Sequence, residues 1–253
     1  HRVRQDTRRN GADPMRLDTI KALTFDTGGT VLDWHTGFRE AFAAAGRRHG
    51  IERDWAALAN DLRRRSMAAM LNLGETAPPA HNFDDAHRFC LDALLRNAEL
   101  EMFDDADRHA ISWQAPHSFT AWPDVQQGLA KLRSRYIAAS FTLLSYRLVI
   151  DTSRRNGLSW DAVLSCEGSG AYKLLPAAYR RAAALLQFRP DECLMVACHP
   201  FDLDAARAVG FRTALVRRPA EWGSDRSESR QMSSAGPYDI EVDDLDGLAA
   251  GLL

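Results

Sequence analysis

From Pro123 onward the chain alternates short apolar runs with longer stretches patterned as helix, and no other feature limits its possible folds so strongly. A helix over Asp124–Ser134 precedes a strand over Tyr136–Phe141. A helix (Leu144–Asn156), a strand (Ala162–Ser165), a helix (Pro176–Leu186), a strand (Glu192–Ala197), a helix (Leu203–Ala208) and a strand (Arg212–Val216) follow, with a last short strand and helix over Ile240–Leu253. Strands joined through helices must run parallel, and a parallel sheet needs helices on both faces. The expected fold is therefore α/β, a doubly wound, Rossmann-like core.

One further strand, Ile20–Phe25, stands apart from this series and ends in Asp26-Thr27-Gly28-Gly29-Thr30, a glycine-bearing turn of the kind that lets a backbone approach a ligand closely. Between it and Pro123 the apolar spacing is helical: Phe38, Phe42 and Ala45, then Trp55, Leu58, Leu62, Met67 and Met70, then Ala86, Cys90, Leu91 and Leu94. The expected organisation is thus a core from residues 16–32 and 123–253, interrupted by a small helical cap over 33–122. Residues 1–15, Arg-rich and without an apolar core, read as a leader or tag-derived arm rather than a secretion signal. Ala220–Gly236, rich in Ser and charge, reads as a loop.

At 253 residues, the chain exceeds one typical domain and falls short of two, as an inserted cap requires. Thirty-two Lys and Arg against 34 Asp and Glu leave a net charge of -2, no field to gather nucleic acid or an acidic membrane surface, and a small molecule as the expected partner. No apolar run reaches the ~18 residues of a membrane span. The four cysteines, Cys90, Cys166, Cys193 and Cys198, form no paired motif, so buried thiols in a cytoplasmic protein are expected.

In doubly wound sheets ligands bind beyond the carboxyl ends of the strands. Those tips carry Asp26 and Thr30, then Thr142, then Glu167–Lys173, then Cys198–Asp202. Phe25-Asp26-Thr27-Gly28-Gly29-Thr30-Val31, Thr142, Tyr172-Lys173 with Pro176 and Tyr179, and Val196–Asp202 followed by Ala205–Gly210 resemble the four motifs of the haloacid dehalogenase superfamily. The chain looks most like the type II L-2-haloacid dehalogenases. Gly28 strengthens that likeness, because phosphatases of the superfamily carry there an Asp that protonates the leaving oxygen, whereas a halide leaves without a proton.

The resemblance implies hydrolytic dehalogenation of a short 2-haloalkanoic acid to a 2-hydroxy acid. Asp26 would attack the halogen-bearing carbon and form an ester that water then cleaves. Lys173 would keep Asp26 ionised, Asp202 would orient Lys173 and the water, and Thr30 and Thr142 would hold Asp26 and the substrate carboxylate. Tyr179, Leu143 and Phe201 would line the substrate site. A cap arginine would cradle the halide; of Arg63, Arg64 and Arg65, consecutive on a helix and so about 100° apart, Arg65 is selected for its Arg-Ser-Met context. No metal or cofactor is implied, and relatives of this kind suggest a homodimer.

Several positions depart from the family pattern. Leu143 stands where Asn is usual, Ala197 and His199 where Ser and Asn are usual, and Gly28 where an aromatic is usual. His199 is expected near Asp26, placing the hydrolytic water or touching the halide, with an imidazole that titrates near neutrality. His81, Asp84, Asp85 and His87 look like metal ligands but fit equally the acidic start of a helix. Two other readings stay open: a Mg-dependent phosphatase of the same superfamily, disfavoured by Gly28 and by the lack of a carboxylate pair after Asp202, and a non-catalytic member.

Overall fold

A computed structural model describes residues 17–71, 82–225 and 236–253. The first strand, β1 (Ala22–Phe25), is buried throughout and pairs in parallel on both sides, with β4 (Ile137–Thr142) and with β6 (Cys193–Ala197). With β5 (Ala162–Ser165), β7 (Arg212–Val216) and β8 (Ile240–Val242) they form one six-stranded sheet in the order β5-β4-β1-β6-β7-β8. All its pairings are parallel. The order reverses at β1, so the crevice of a doubly wound sheet opens beyond Phe25, where Asp26 follows.

The helical insertion comprises α1 (Trp34–His49), α2 (Trp55–Leu71), α3 (Phe83–Asn97) and the short α4 (Asp105–His109), which runs into one π-helical turn (Ala110–Gln114). The long helices α1 and α3 show why they start or stop. The Asp33 side chain accepts from the Thr36 amide at 3.0 Å to start α1, and Gly50, at φ 65°, ends it in the left-handed conformation that costs glycine least. Asn82 starts α3 by accepting from the Asp85 amide at 3.1 Å. Phe38, Phe42, Leu62, Leu91 and Leu94 are fully or almost fully buried between these helices, in one apolar core continuous with that of the sheet.

The chain enters and leaves the insertion along a two-stranded antiparallel ribbon, β2 (Leu32–Asp33) with β3 (Thr120–Ala121). Two residues per strand carry no periodic pattern, so the ribbon was not expected. Among the described residues, the remaining core helices are α5 (Val125–Arg133), α6 (Tyr146–Asn156), α7 (Cys166–Ser169), α8 (Pro176–Leu185), α9 (Pro200–Ala208) and α10 (Leu245–Leu252).

Two helix starts differ from expectation. α6 begins at Tyr146 rather than Leu144, because Ser145 caps it by accepting from the Leu148 amide at 3.0 Å. α9 begins at Pro200 rather than Leu203, Pro being preorganised for the first helical position. Of the expected loop 220–236, residues 220–225 and 236 are described, and the chain turns over 219–224. Residues 1–15 and His81 lie outside the described residues.

Candidate active site

Asp26 continues the line of β1, its amide donating to Val196 O at 2.9 Å, so its backbone is held by the sheet while its side chain projects past the strand end. Thr30 accepts the Cys198 amide at 2.9 Å, which directs its single hydroxyl hydrogen to Asp26 Oδ2 at 2.7 Å. Gly29 makes this turn possible: its φ is +91°, and a Cβ there would stand 2.0 Å from Glu221 Oε1.

Lys173 follows α7 in a loop, not directly a strand, and reaches back under the sheet tip. Its ammonium lies 2.7 Å from Asp202 Oδ2 and 3.2 Å from Asp26 Oδ1, over the face of Phe141. Asp202 sits in the first turn of α9, and its other oxygen accepts the Tyr179 hydroxyl at 2.6 Å. Burial pushes the Asp26 carboxyl upward, but the Lys173 charge and hydrogen bonds from His199 and Thr30 outweigh it and hold the group well below the ordinary carboxylate range. Burial raises Asp202 above its ordinary value, with Asp26 adding to the effect and Lys173 opposing it.

The pocket above these groups is lined on the core side by Asp26, Gly28, Thr142, Leu143, Lys173, His199, Phe201 and Asp202. From the insertion come Arg63, Met67, Leu71 and Phe83. Thr142, Leu143 and Phe201 thus stand where the sequence reading put them, Phe201 stacking on His199 with 5.2 Å between ring centroids. Thr142 Oγ1 accepts the Leu144 amide at 3.1 Å. Tyr179 and Thr30 do not line the pocket; each is fully buried behind it, bonded to Asp202 and Asp26 respectively.

The cap arginine is corrected. Arg65 points away and pairs with Asp61 one turn earlier at 3.1 Å, and Arg64 pairs with Asp225 at 2.9 Å. Arg63 is the one that enters the pocket, donating to Gly28 O at 3.3 Å and sandwiched between the rings of Trp34 and Phe83, each 5.2 Å away. The apolar stripe of α2 decides it: Ala59, Leu62, Ser66 and Met70 face inward, and Arg63 is the arginine that falls on that face.

Glu221, which the sequence reading missed, is 1% exposed and lies beside His199. Its Oε1 accepts from Trp34 Nε1 at 2.9 Å and is 2.8 Å from His199 Nε2, whose other ring nitrogen is 3.1 Å from Asp26 Oδ2. Cys198, His199 and Glu221 also form the one grouping among the described residues with metal-like spacing, their ligand atoms all within 4.8 Å of one another. The suspected cluster in α3 is different: Asp84 bonds His117 and Ser145, at 3.0 and 2.5 Å, and His87 is buried with both nitrogens unpartnered.

A doubly wound parallel sheet with a helical insertion after its first strand, carrying a carboxylate–lysine–carboxylate array at the strand tips, defines one class of α/β hydrolase. The sequence model for haloacid dehalogenase-like hydrolases matches residues 20–210, and the chain belongs to that family. It is 27% identical to (S)-2-haloacid dehalogenase 4A of Burkholderia cepacia over 80% of this chain and 85% of that one. A crystal structure described as the defluorinating L-2-haloacid dehalogenase Rha0230 is 34% identical, with a TM-score of 0.83 over 92% of this chain and 95% of that one. The L-2-haloacid dehalogenase PA0810 is 32% identical, with a TM-score of 0.82 over 92% and 98% of the two chains. Among the described residues, no helix is long and apolar enough to cross a membrane.

Proposed function

We propose that the protein hydrolyses short (S)-2-haloalkanoic acids, releasing halide and the 2-hydroxy acid through an ester on Asp26. The observation that carries this reading is the pairing of a deeply ionised Asp26 with Gly28 two residues on. At the position where a phosphatase needs an acid, a Cβ would meet the Arg63 guanidinium at 3.4 Å, so a cation faces the leaving group instead.

Asp26 Oδ2 accepts from both Thr30 and His199, which occupies its two in-plane lone pairs, whereas among the described residues Oδ1 accepts from Lys173 alone. Oδ1 is therefore the nucleophile. It attacks C2 as the carbon–halogen bond breaks, and the halide departs with the bonding electrons towards Arg63. The Thr142–Leu144 turn and Lys173 hold the substrate carboxylate, and Met67, Leu143 and Phe201 enclose its alkyl part. Water then attacks Cγ of Asp26, and Asp202, its basicity raised by burial, takes the proton. Expulsion of the hydroxy acid restores Asp26 with one oxygen from water.

In this reading residues 33–122 act as a cap that closes the pocket, and the protein is a cytoplasmic homodimer, which light scattering checks. The deciding assay is halide release from L-2-chloropropionate and fluoroacetate with EDTA present, beside p-nitrophenyl phosphate with Mg²⁺. Halide release, with one ¹⁸O atom entering Asp26 in a single turnover in labelled water, is expected. Phosphate release without halide release would overturn it in favour of the phosphatase, and inactivity towards every substrate would favour a non-catalytic protein.

A further inference from the structure

His199 is flanked by two carboxylates. Its Nδ1 lies 3.1 Å from Asp26 Oδ2 and its Nε2 lies 2.8 Å from Glu221 Oε1, and all three side chains are buried. A neutral imidazole has one donor and one acceptor nitrogen, so one of these contacts would set a lone pair against a carboxylate oxygen. Only the imidazolium donates to both. We propose that Glu221 and His199 form a buried ion pair whose imidazolium, together with the Thr30 hydroxyl, receives the negative charge that develops on Asp26 Oδ2 during ester hydrolysis, Glu221 acting through His199 as a positioning residue. The inference rests on the aspartyl-ester reading.

The surrounding charges agree. Facing His199 are Asp26 from the end of β1, Glu221 from the turn after β7, and Cys198 beside it, with Arg63 of α2, Lys173 of the loop after α7 and Asp202 of α9 one contact further out. The Cys198 thiol is pushed up to about 11 by burial and is uncharged near neutrality. Three carboxylates, Asp26, Asp202 and Glu221, then face Lys173, Arg63 and His199. A neutral His199 would leave one negative charge uncompensated in a buried site, which is costly.

The location of Oδ2 gives the pair its role. Once Oδ1 has become the ester oxygen, Oδ2 is the carbonyl oxygen. When water adds to Cγ and its proton passes to Asp202, the carbonyl electron pair moves to Oδ2, where the Thr30 hydroxyl and His199 Nδ1–H already point. The pair returns as the bond to Oδ1 breaks, and the departing alkoxide takes the proton from Asp202. Preset donors at a developing oxyanion are worth about 10²–10³-fold in rate. His199 therefore stabilises charge and does not serve as the base for water.

The test is Glu221→Gln, which keeps the shape and removes the charge. With L-2-chloropropionate, one halide per site should still appear in a burst, ester should accumulate on Asp26 by mass spectrometry, and steady turnover at pH 8 should fall about 100-fold. Part of that loss should return at pH 6, where an imidazole without Glu221 regains its proton, while the parent enzyme shows no such dependence. Unchanged turnover at both pH values would overturn the inference. Folding of the variant is not needed for the second measurement, ¹⁵N NMR of histidine-labelled parent protein: His199 should remain doubly protonated at pH 8.5, and a neutral tautomer there would overturn the ion pair. A parent enzyme that releases no halide would sink the aspartyl-ester reading instead, and the NMR result would still decide the pair.

Discussion

Lys173 holds Asp202 at 2.7 Å and is almost fully buried, 2% exposed, so its ammonium is committed to the carboxylates around it rather than to water. Burial opposes its charge, but Asp202 and Asp26 raise its pKa above the ordinary lysine value. Lys173→Met leaves Asp202 without its cation and Asp26 with His199 alone, and halide release should fall by about 10³-fold or more, as when one member of a catalytic unit is removed. Asp26 also loses the charge that lowers its pKa, so the acid limb of kcat/KM should move to higher pH. A parent-like acid limb would show that Asp26 is ionised by something else.

Arg63 and Arg65 sit two residues apart on α2 with opposite surroundings. Arg63→Ala empties the space between Trp34 and Phe83 and removes the cation facing Gly28, so kcat/KM for a chloroacid should drop about 100-fold. Arg65→Ala removes a half-exposed pair with Asp61, worth at most ~0.5 kcal/mol, and turnover should stay within about twofold of the parent. Equal losses in steady-state kinetics would contradict this assignment.

Gly29→Ala should damage both fold and chemistry. The left-handed φ of +91° costs a non-glycine residue about 1–3 kcal/mol. The added methyl would also fall 2.0 Å from Glu221 Oε1 and displace it from His199. Differential scanning calorimetry should show a melting temperature lower by several degrees, roughly 2–4 °C for each kcal/mol in a chain of this size. A parent-like melting temperature would mean that the turn tolerates another path.

Stability should decline at alkaline pH. His199, through Cys198, Glu221 and Asp26, and His117, through Asp84 and Asp151, both have raised folded-state pKa values despite burial that opposes their charge. Groups of this sign contribute fully below the unfolded value of about 6.5 and lose their contribution as pH rises through the folded value, because the folded state then holds protons that the unfolded state has released. Each such histidine lowers the unfolding free energy by about 1.4 kcal/mol per pH unit within that window. Urea midpoints measured from pH 6.5 to 9 should fall for the parent protein and fall less steeply for His199→Gln. Parallel curves would argue against a protonated His199.

Much of this architecture is legible in the residues themselves. Asp26, Thr30, Lys173 and Asp202 stand out because polar groups interrupt apolar strand runs at the sheet's carboxyl edge, and a strand–helix alternation defines that edge without coordinates. Arg63 is also encoded, on the inward stripe of α2, but motif context pointed to Arg65 and the helical face pointed elsewhere. Glu221 carries no such signal. It lies 22 positions from His199 in a Ser- and charge-rich segment where an acid is ordinarily solvated, and only the fold of the turn after β7 buries it.

The β2–β3 ribbon has a consequence for how such chains diversify. Asp33 pairs with Thr120 and Leu32 with Ala121, so the chain departs from the sheet and returns to it at neighbouring points. The sheet therefore does not register how long the excursion is, and doubling it would cost only about 0.6 kcal/mol of closure entropy. Asp26 and Lys173 stay on one scaffold while the helical insertion beside them can be exchanged as a unit. Grafting another helical module at this doorway would change Arg63 and its neighbours in the pocket without moving Asp26.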